Sequence, residues 1–296
     1  MEKEGEVSPR PPLAYIRGVP VYGFVGNNWA EVEGFQARPD DLLICTYPKS
    51  GTTWVSEIVD LILNNGDVEK TNRDAIAIRV PYLEFAAPGF PFGTELLVNA
   101  PSPRFIKTHM TVGMLQKTFW ENNCKIIYVA RNAKDVAVSF YHFDKMALLH
   151  PDPGTWDEFL ENYMAGKVSY GSWYDHVKGW WEKTKDHQIL YLFYEDLKED
   201  PKREIRKIMQ FIEKELGEEI VERIYHHTMF CKMKDNLMTN YKTVPTNVLD
   251  QKVSPFMRKG IVGDWKNHFT VAQSERFDED YKKKMAGSSL RFRTEL

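Results

Sequence analysis

Apolar positions along the chain fall into two rhythms. Four short runs are dense in branched and aromatic residues: 41–47 (DLLICTY), 104–109 (RFIKTH), 125–130 (KIIYVA) and 189–193 (ILYLF). They predict buried strands. Elsewhere apolar residues recur at helical spacing. Trp54, Val55, Ile58, Leu61 and Ile62 predict a helix over 52–64, closed by Gly66. Further helices are expected over 132–148, on each side of Gly171 within 155–186, over 200–216 and 218–227, and from about 271 to 285. Residues 1–38, 66–103 and 231–264 read as irregular, with 1–15 flexible. Short buried strands alternating with longer helices imply an α/β fold, a mostly parallel central sheet covered on both faces by helices. No linker, composition shift or repeat divides 1–296, so one domain is expected.

Composition narrows the class of partner. Of 296 residues, 43% are apolar and 13% aromatic, enough for a large core. The formal net charge of -3 argues against a general nucleic-acid binder or a polybasic membrane surface. Cys45, Cys124 and Cys231 are odd in number and far apart, which speaks against a disulfide framework or a cysteine-rich zinc site. Residues 1–13 lack an apolar signal core, and no run approaches the roughly 18–20 apolar residues that span a bilayer. A soluble cytoplasmic protein is expected, with neither nucleic acid nor membrane as partner.

The first strand runs into Pro48, Lys49, Ser50, Gly51, Thr52, Thr53 and then a helix. Such a turn presents main-chain N–H groups and the positive end of the helix dipole to an anion. Gly51 permits close approach, Ser50, Thr52 and Thr53 add hydroxyl donors, and Lys49 adds a charge. Helix capping alone would use Ser and Thr but would not require Lys49. In a Walker A loop the lysine follows the second glycine; here Lys49 precedes the only one. An ATP- and Mg²⁺-dependent kinase is therefore disfavoured, with Glu195 and Asp196 as the best acidic ligands it could use.

The two-residue period of RFIKTH puts Lys107 and His109 on one side at a strand's C-terminal end. Lys49, Arg131 and Tyr194 also lie at or just past strand ends, where open parallel sheets bind ligands. A lone histidine there is more often structural. Beside Lys107, and on the edge that carries a phosphate loop, His109 reads as a general base that a nearby cation keeps neutral. His226 and His227 read as structural residues of a helix end, and no metal site is expected.

TYPKSGTTW at 46–54 resembles the donor-phosphate loop of the cytosolic sulfotransferases. So do KTH at 107–109, YVARNAKDVAVSFYHF at 128–143, FYEDLKEDP at 193–201 and FMRKGIVGDWKNHFTVAQ at 256–273. The similarity spans the chain and is greatest to the phenol (aryl) branch. It implies transfer of a sulfuryl group from 3′-phosphoadenylyl sulfate (PAPS) to a small phenolic acceptor, leaving the bisphosphate PAP. His109 would take the acceptor proton, and Lys49 and Lys107 would stabilise the charge that develops. Arg131 and Ser139 would bind the 3′-phosphate, with Met257, Arg258, Lys259 and Gly260 as a second clamp. Trp54, Tyr194, Thr228 and Phe230 would meet the adenine, although Trp54 and Phe230 read equally well as core aromatics. Phe24, Tyr82, Phe85, Phe143 and Tyr241 would line the acceptor pocket. The chain departs from relatives at Met110-Thr111 and at Leu237, both expected near the pocket entrance. Lys266, Thr270, Val271 and Glu275 resemble the family's dimer motif, which implies a homodimer. Thr270 and Gln273 also read as a capping box. A non-catalytic nucleotide- or hydrophobic-ligand-binding protein is the remaining alternative, and it would have no need for the base.

Overall fold

The computed structural model describes residues 10–296. Six strands are present among them: β1 (Ala14–Ile16), β2 (Val19–Val21), β3 (Leu42–Thr46), β4 (Phe105–Thr108), β5 (Lys125–Ala130) and β6 (Ile189–Phe193). The last four form the expected sheet in the order β4-β3-β5-β6, all parallel. Register aligns their C-terminal ends. Cys45 pairs with Thr108, Thr46 with Val129, and Ala130 with Phe193. Everything that follows β3, β4, β5 and β6 therefore leaves from one edge.

Alternation along the strands divides the core between the two faces. Leu43, Cys45, Ile106, Ile126 and Tyr128 pack into one cluster with Phe140, Trp173 and Trp180. Leu42, Ile44, Ile127 and Val129 pack into the other with Val55, Ile58, Leu61 and Ile62 of the Thr52–Leu63 helix. The remaining long helices fall close to the expected spans: Ala133–Met146, Trp156–Met164, Trp173–Lys183, Pro201–Phe211, Glu218–His227 and Val271–Lys284. The Pro201 helix stops at Phe211 rather than 216, because Glu213 turns to a φ of 58°. None of the described helices is long and apolar enough to cross a membrane.

The three segments read as irregular contain short elements. Residues 10–38 hold the antiparallel β1-β2 pair and the helices Gly23–Asn27 and Trp29–Glu33. Residues 66–103 hold helices Val68–Thr71, Ile76–Arg79 and Gly93–Asn99. Residues 231–264 overlap the Phe230–Asp235 helix, and Tyr194–Glu199 is a helix that starts directly on β6. One or two turns cannot display a period, and such helices exist only through tertiary packing. The expected flexibility of 1–15 lies outside the described residues for 1–9. At Arg10 the guanidinium donates to the main-chain oxygens of Asp144 (2.5 Å) and Lys145 (2.8 Å).

Two buried ion clusters fix the segments that flank the sheet. Arg104, at the start of β4, makes a bidentate pair with Asp41 beside β3 (2.8 and 2.6 Å). Arg79 bonds Glu57 (2.6 Å) and Asp60 of the Thr52–Leu63 helix, with almost no exposure of any of the three side chains. Losing one member of a buried ion pair typically costs about 3–5 kcal/mol. Arg79 thus ties Ile76–Arg79 firmly to the helix that follows the phosphate loop. His227 adds a bond to Glu57 (3.2 Å) and His226 pairs with Glu222 (2.9 Å), the structural roles expected of them.

Candidate active site

The loop after β3 turns sharply. Lys49 sits at a φ of 68° and Gly51 at 104°, and Gly51 caps the Thr52–Leu63 helix. A side chain at Gly51 would strike the Tyr194 ring at 2.9 Å, so the glycine is set by close approach as well as by φ. The loop opens into a cleft. Of the residues expected in the site, Lys49, Gly51, Thr52, Thr53, Trp54, Tyr82, His109, Arg131, Ser139, Phe143, Tyr194, Thr228, Phe230, Met257, Arg258, Lys259 and Gly260 line it.

His109 follows β4, and its ring is held by β3. The Nδ1 lies 2.8 Å from the Thr46 carbonyl oxygen, a pure acceptor, so Nδ1 carries the hydrogen and Nε2 presents its lone pair. Thr46 Oγ1 is also near Nδ1 (3.1 Å) and bonds Thr52 Oγ1 (2.7 Å), which links the ring to the first turn of the loop's helix. The rings of Tyr82 and Tyr170 flank the imidazole at 4.8 and 5.3 Å. Burial, with smaller repulsion from His176, Lys107 and Lys49, pulls its pKa down to about 3. The neutral base expected from Lys107 is present, but burial dominates.

Two lysines at this sheet edge, Lys49 on the cleft and Lys107 just behind its wall, have no carboxylate partner among the described residues. Lys49 Nζ lies over the rings of Phe143 (3.9 Å) and Phe256 (4.3 Å). Lys107 is fully buried, donates to the Ile76 carbonyl (3.3 Å) and the Tyr241 hydroxyl (3.4 Å), and stands 4.6 Å over Tyr82. Burial lowers each to about 7, helped by Arg131 at Lys49 and by Arg79 at Lys107. Arg131 lies on the Tyr194 ring (4.3 Å) and donates to the carbonyls of Lys49 (3.2 Å) and Ile261 (3.1 Å). Arg258 and Lys259 both bond Asp264 at 2.6 Å. Gly260, at a φ of 64°, backs onto Phe230, whose ring a Cβ would meet at 2.2 Å.

Several buried donors around the cleft have no partner among the described residues: Ser50 Oγ, Trp54 Nε1, Arg131 Nε and Arg258 Nε. Unpaired buried donors are costly, and here they ring a cationic cleft, as a polyanionic ligand requires. Glu195 instead accepts from the Asn132 N–H and side-chain amide (both 2.9 Å), and Asp196 pairs with Arg293.

Some expected residues stand off the lining. Ser50 is buried beneath it, and Lys107 and Tyr241 lie just behind Tyr82 and Phe256. Phe24 and Phe85 pack on each other (5.5 Å), one contact removed through Tyr22. Met110, expected at the entrance, is fully buried in the core, because its carbonyl caps Trp180 Nε1 (3.2 Å). Leu237 is exposed and off the cleft. The lining also includes Pro48 of the expected turn, and Tyr22, Lys198, Met233, Phe256 and Ile261, which the sequence reading did not single out. Phe256 lies in the quoted FMRKG segment, and Lys198 lies one turn after Tyr194 on a helix too short to show a period. Tyr22 has no sequence signal.

A strand, an anion-binding turn and a helix, with a neutral histidine and two lysines at the same sheet edge, make a cleft suited to holding an anion and transferring a group from it. A family profile described as the sulfotransferase domain matches residues 39–289. Rat sulfotransferase 1 family member D1 is 60% identical over 287 residues, 97% of each chain. Bovine sulfotransferase 1A1 is likewise 60% identical over 97% of each. Among solved structures, retinol dehydratase with androsterone and PAP superposes with a TM-score of 0.85 at 26% identity, covering 95% of this chain and 92% of that one. A mouse sulfotransferase with PAP gives 0.77 at 33% identity, over 93% and 95%. The chain belongs to the sulfotransferase family, and the kinase alternative is set aside.

Because Lys49 and Lys107 titrate near 7, they are charged below that pH and largely neutral above about 8. A phosphate ligand favours the charged forms. Binding of adenosine 3′,5′-bisphosphate, whose phosphates are fully ionised at pH 8, should therefore take up protons at that pH. Calorimetry in buffers of different ionisation enthalpy measures this, and an uptake near zero at pH 8 would contradict the assigned cations.

Proposed function

We propose that the chain transfers the sulfuryl group of PAPS to the hydroxyl of a small phenol, with His109 as general base. The observation that carries the reading is the Thr46–His109 bond. It occupies Nδ1 and leaves the Nε2 lone pair free on a residue that lines the cleft with the Lys49 loop. The donor is PAPS. Its 5′ phosphosulfate belongs on the Lys49–Thr53 turn, and its 3′-phosphate near Arg131, Ser139, Arg258 and Lys259, where guanidinium donors suit bidentate phosphate binding. Trp54, Tyr194, Thr228 and Phe230 supply the surface for the adenine.

In the reaction the acceptor oxygen attacks sulfur in line, and its proton passes to His109 Nε2. The new S–O bond forms as the bond from sulfur to the 5′-phosphate oxygen breaks, and that oxygen keeps the electron pair. Lys49 and Lys107 stabilise the charge on the sulfuryl group and on the departing oxygen. Preorganised cations in a dry site usually supply the largest single stabilisation of this kind. The acceptor is a small molecule. Tyr22, Tyr82, Phe143 and Phe256 give an aromatic-walled slot suited to a flat ring. Retinol dehydratase, the structural neighbour above, holds androsterone in one structure and retinol in another.

The segment carrying Lys266, Thr270, Val271 and Glu275 supports a homodimer. The capping box holds (Thr270 N–H to Gln273 Oε1, 2.9 Å; Gln273 N–H to Thr270 Oγ1, 3.2 Å), and it presents Val271 at 77% exposure. Light scattering at micromolar concentration should give a dimer and, for Val271→Glu, a monomer; a monomeric wild type would refute this.

Labelled sulfate should pass from PAPS to a simple phenol with chelator present. His109→Ala should lower kcat by roughly 10²–10⁴-fold, the usual contribution of a positioned base. No transfer by the wild type, or undiminished transfer by the variant, would overturn the mechanism.

A further inference from the structure

Glu84 is a buried carboxylate, 1% exposed, to which the mechanism so far gives no part. The segment before it runs alongside β4: Lys107 N–H donates to the Pro81 carbonyl (3.0 Å) and Leu83 N–H to the Lys107 carbonyl (2.9 Å). This pairing delivers Glu84 to the end of β4. There Oε1 accepts from the His109 main-chain N–H (2.7 Å) and the Tyr170 hydroxyl (3.1 Å), and Oε2 accepts from the Thr108 hydroxyl (2.9 Å). Thr108 Oγ1 itself accepts from the Met110 N–H (3.0 Å), which leaves its hydrogen for Glu84. Three donors converging on two oxygens is the pattern of an ionised carboxylate. Burial raises the carboxyl's pKa overall, and the His109 N–H, Thr108 and Tyr170 bonds offset only part of that rise. Among the described residues Glu84 forms no ion pair.

We infer that Glu84 is the positioning residue of the base: it pins the His109 backbone and supplies the negative charge against which the imidazole becomes cationic. The inference rests on His109 being the base. When Nε2 takes the acceptor's proton, a new cation forms in a buried site. That site already faces Lys49, Lys107 and the His176 ring, with Tyr82 and Tyr170 on its sides. Glu84 faces Lys107, Tyr82, Tyr170 and Cys45, and among the described residues it is the one carboxylate that accepts from both the base's own amide and the hydroxyl of the Tyr170 packed on it. In a low-dielectric site such a charge acts over several ångströms.

The test compares acceptors that differ in their need for a base. One is a phenol of ordinary acidity, with a pKa of about 10. The other is a nitro-substituted phenol already ionised at the assay pH. Glu84→Gln should lower kcat for the first by about tenfold or more, a fraction of what a whole base contributes. It should leave the second within about twofold and KM for PAPS unchanged, with unfolding followed as a control for folding. Glu84→Asp, which keeps the charge, should remove the difference between the two phenols. If Glu84→Gln does not fold, Thr108→Val, which withdraws one donor, must show a smaller loss with the same bias. Equal losses for both phenols, or none, would overturn the inference and leave a structural carboxylate. If His109→Ala also fails to discriminate between the phenols, the base assignment itself is wrong.

Discussion

The site depends on partly or fully buried cations that no carboxylate among the described residues neutralises. Lys49 rests on two aromatic rings, and Lys107 lies fully buried against a carbonyl and a phenol hydroxyl. Each is so disfavoured as a cation that its pKa falls to about 7. Elsewhere the fold pairs its buried charges closely: Arg79 with Glu57 and Asp60, and Arg104 with Asp41. The contrast localises the function. An anionic ligand completes what the protein leaves incomplete, and a group transferred between oxygens carries its charge to the same place.

Parallel topology is what makes that concentration possible. In a sheet with aligned register, β3, β4, β5 and β6 all end at one edge, and each hands on a polar group: Lys49, His109, Arg131 and Tyr194. The bond from His109 Nδ1–H to the Thr46 carbonyl then crosses between adjacent strands, so sheet pairing itself sets which ring nitrogen is free. Thr46 also bonds Thr52, so one residue touches both the base and the phosphate loop.

Much of this was legible in the sequence because strands and strand ends have simple signatures. Four apolar runs gave four strands in place, and the period of two correctly set Lys107 and His109 against a common neighbour, Tyr82. What the period could not convey is depth: Lys107, inside the strand, is sealed behind Tyr82, whereas His109, one step past its end, reaches the cleft. The walls were harder to read. Tyr22 comes from a hairpin of three-residue strands, and Lys198 from a six-residue helix, both too short for any pattern. Glu84 sat between two named residues, Tyr82 and Phe85, but its role comes from a pairing with β4 that exists only in three dimensions. Met110 was misplaced because a departure from a family's pattern marks a position, not its exposure.

The central claim is that the cleft is built for a nucleotide bearing phosphate at both the 3′ and 5′ positions. Calorimetric affinities of adenosine 3′,5′-bisphosphate and adenosine 5′-diphosphate, measured side by side at one salt concentration, test it most directly. Arg131, Ser139, Arg258 and Lys259 should favour the 3′,5′ compound by at least about tenfold, since a charge-assisted hydrogen bond contributes roughly 1.5–3 kcal/mol. Equal affinities, or a preference for the diphosphate, would contradict the assignment of those residues to a second phosphate.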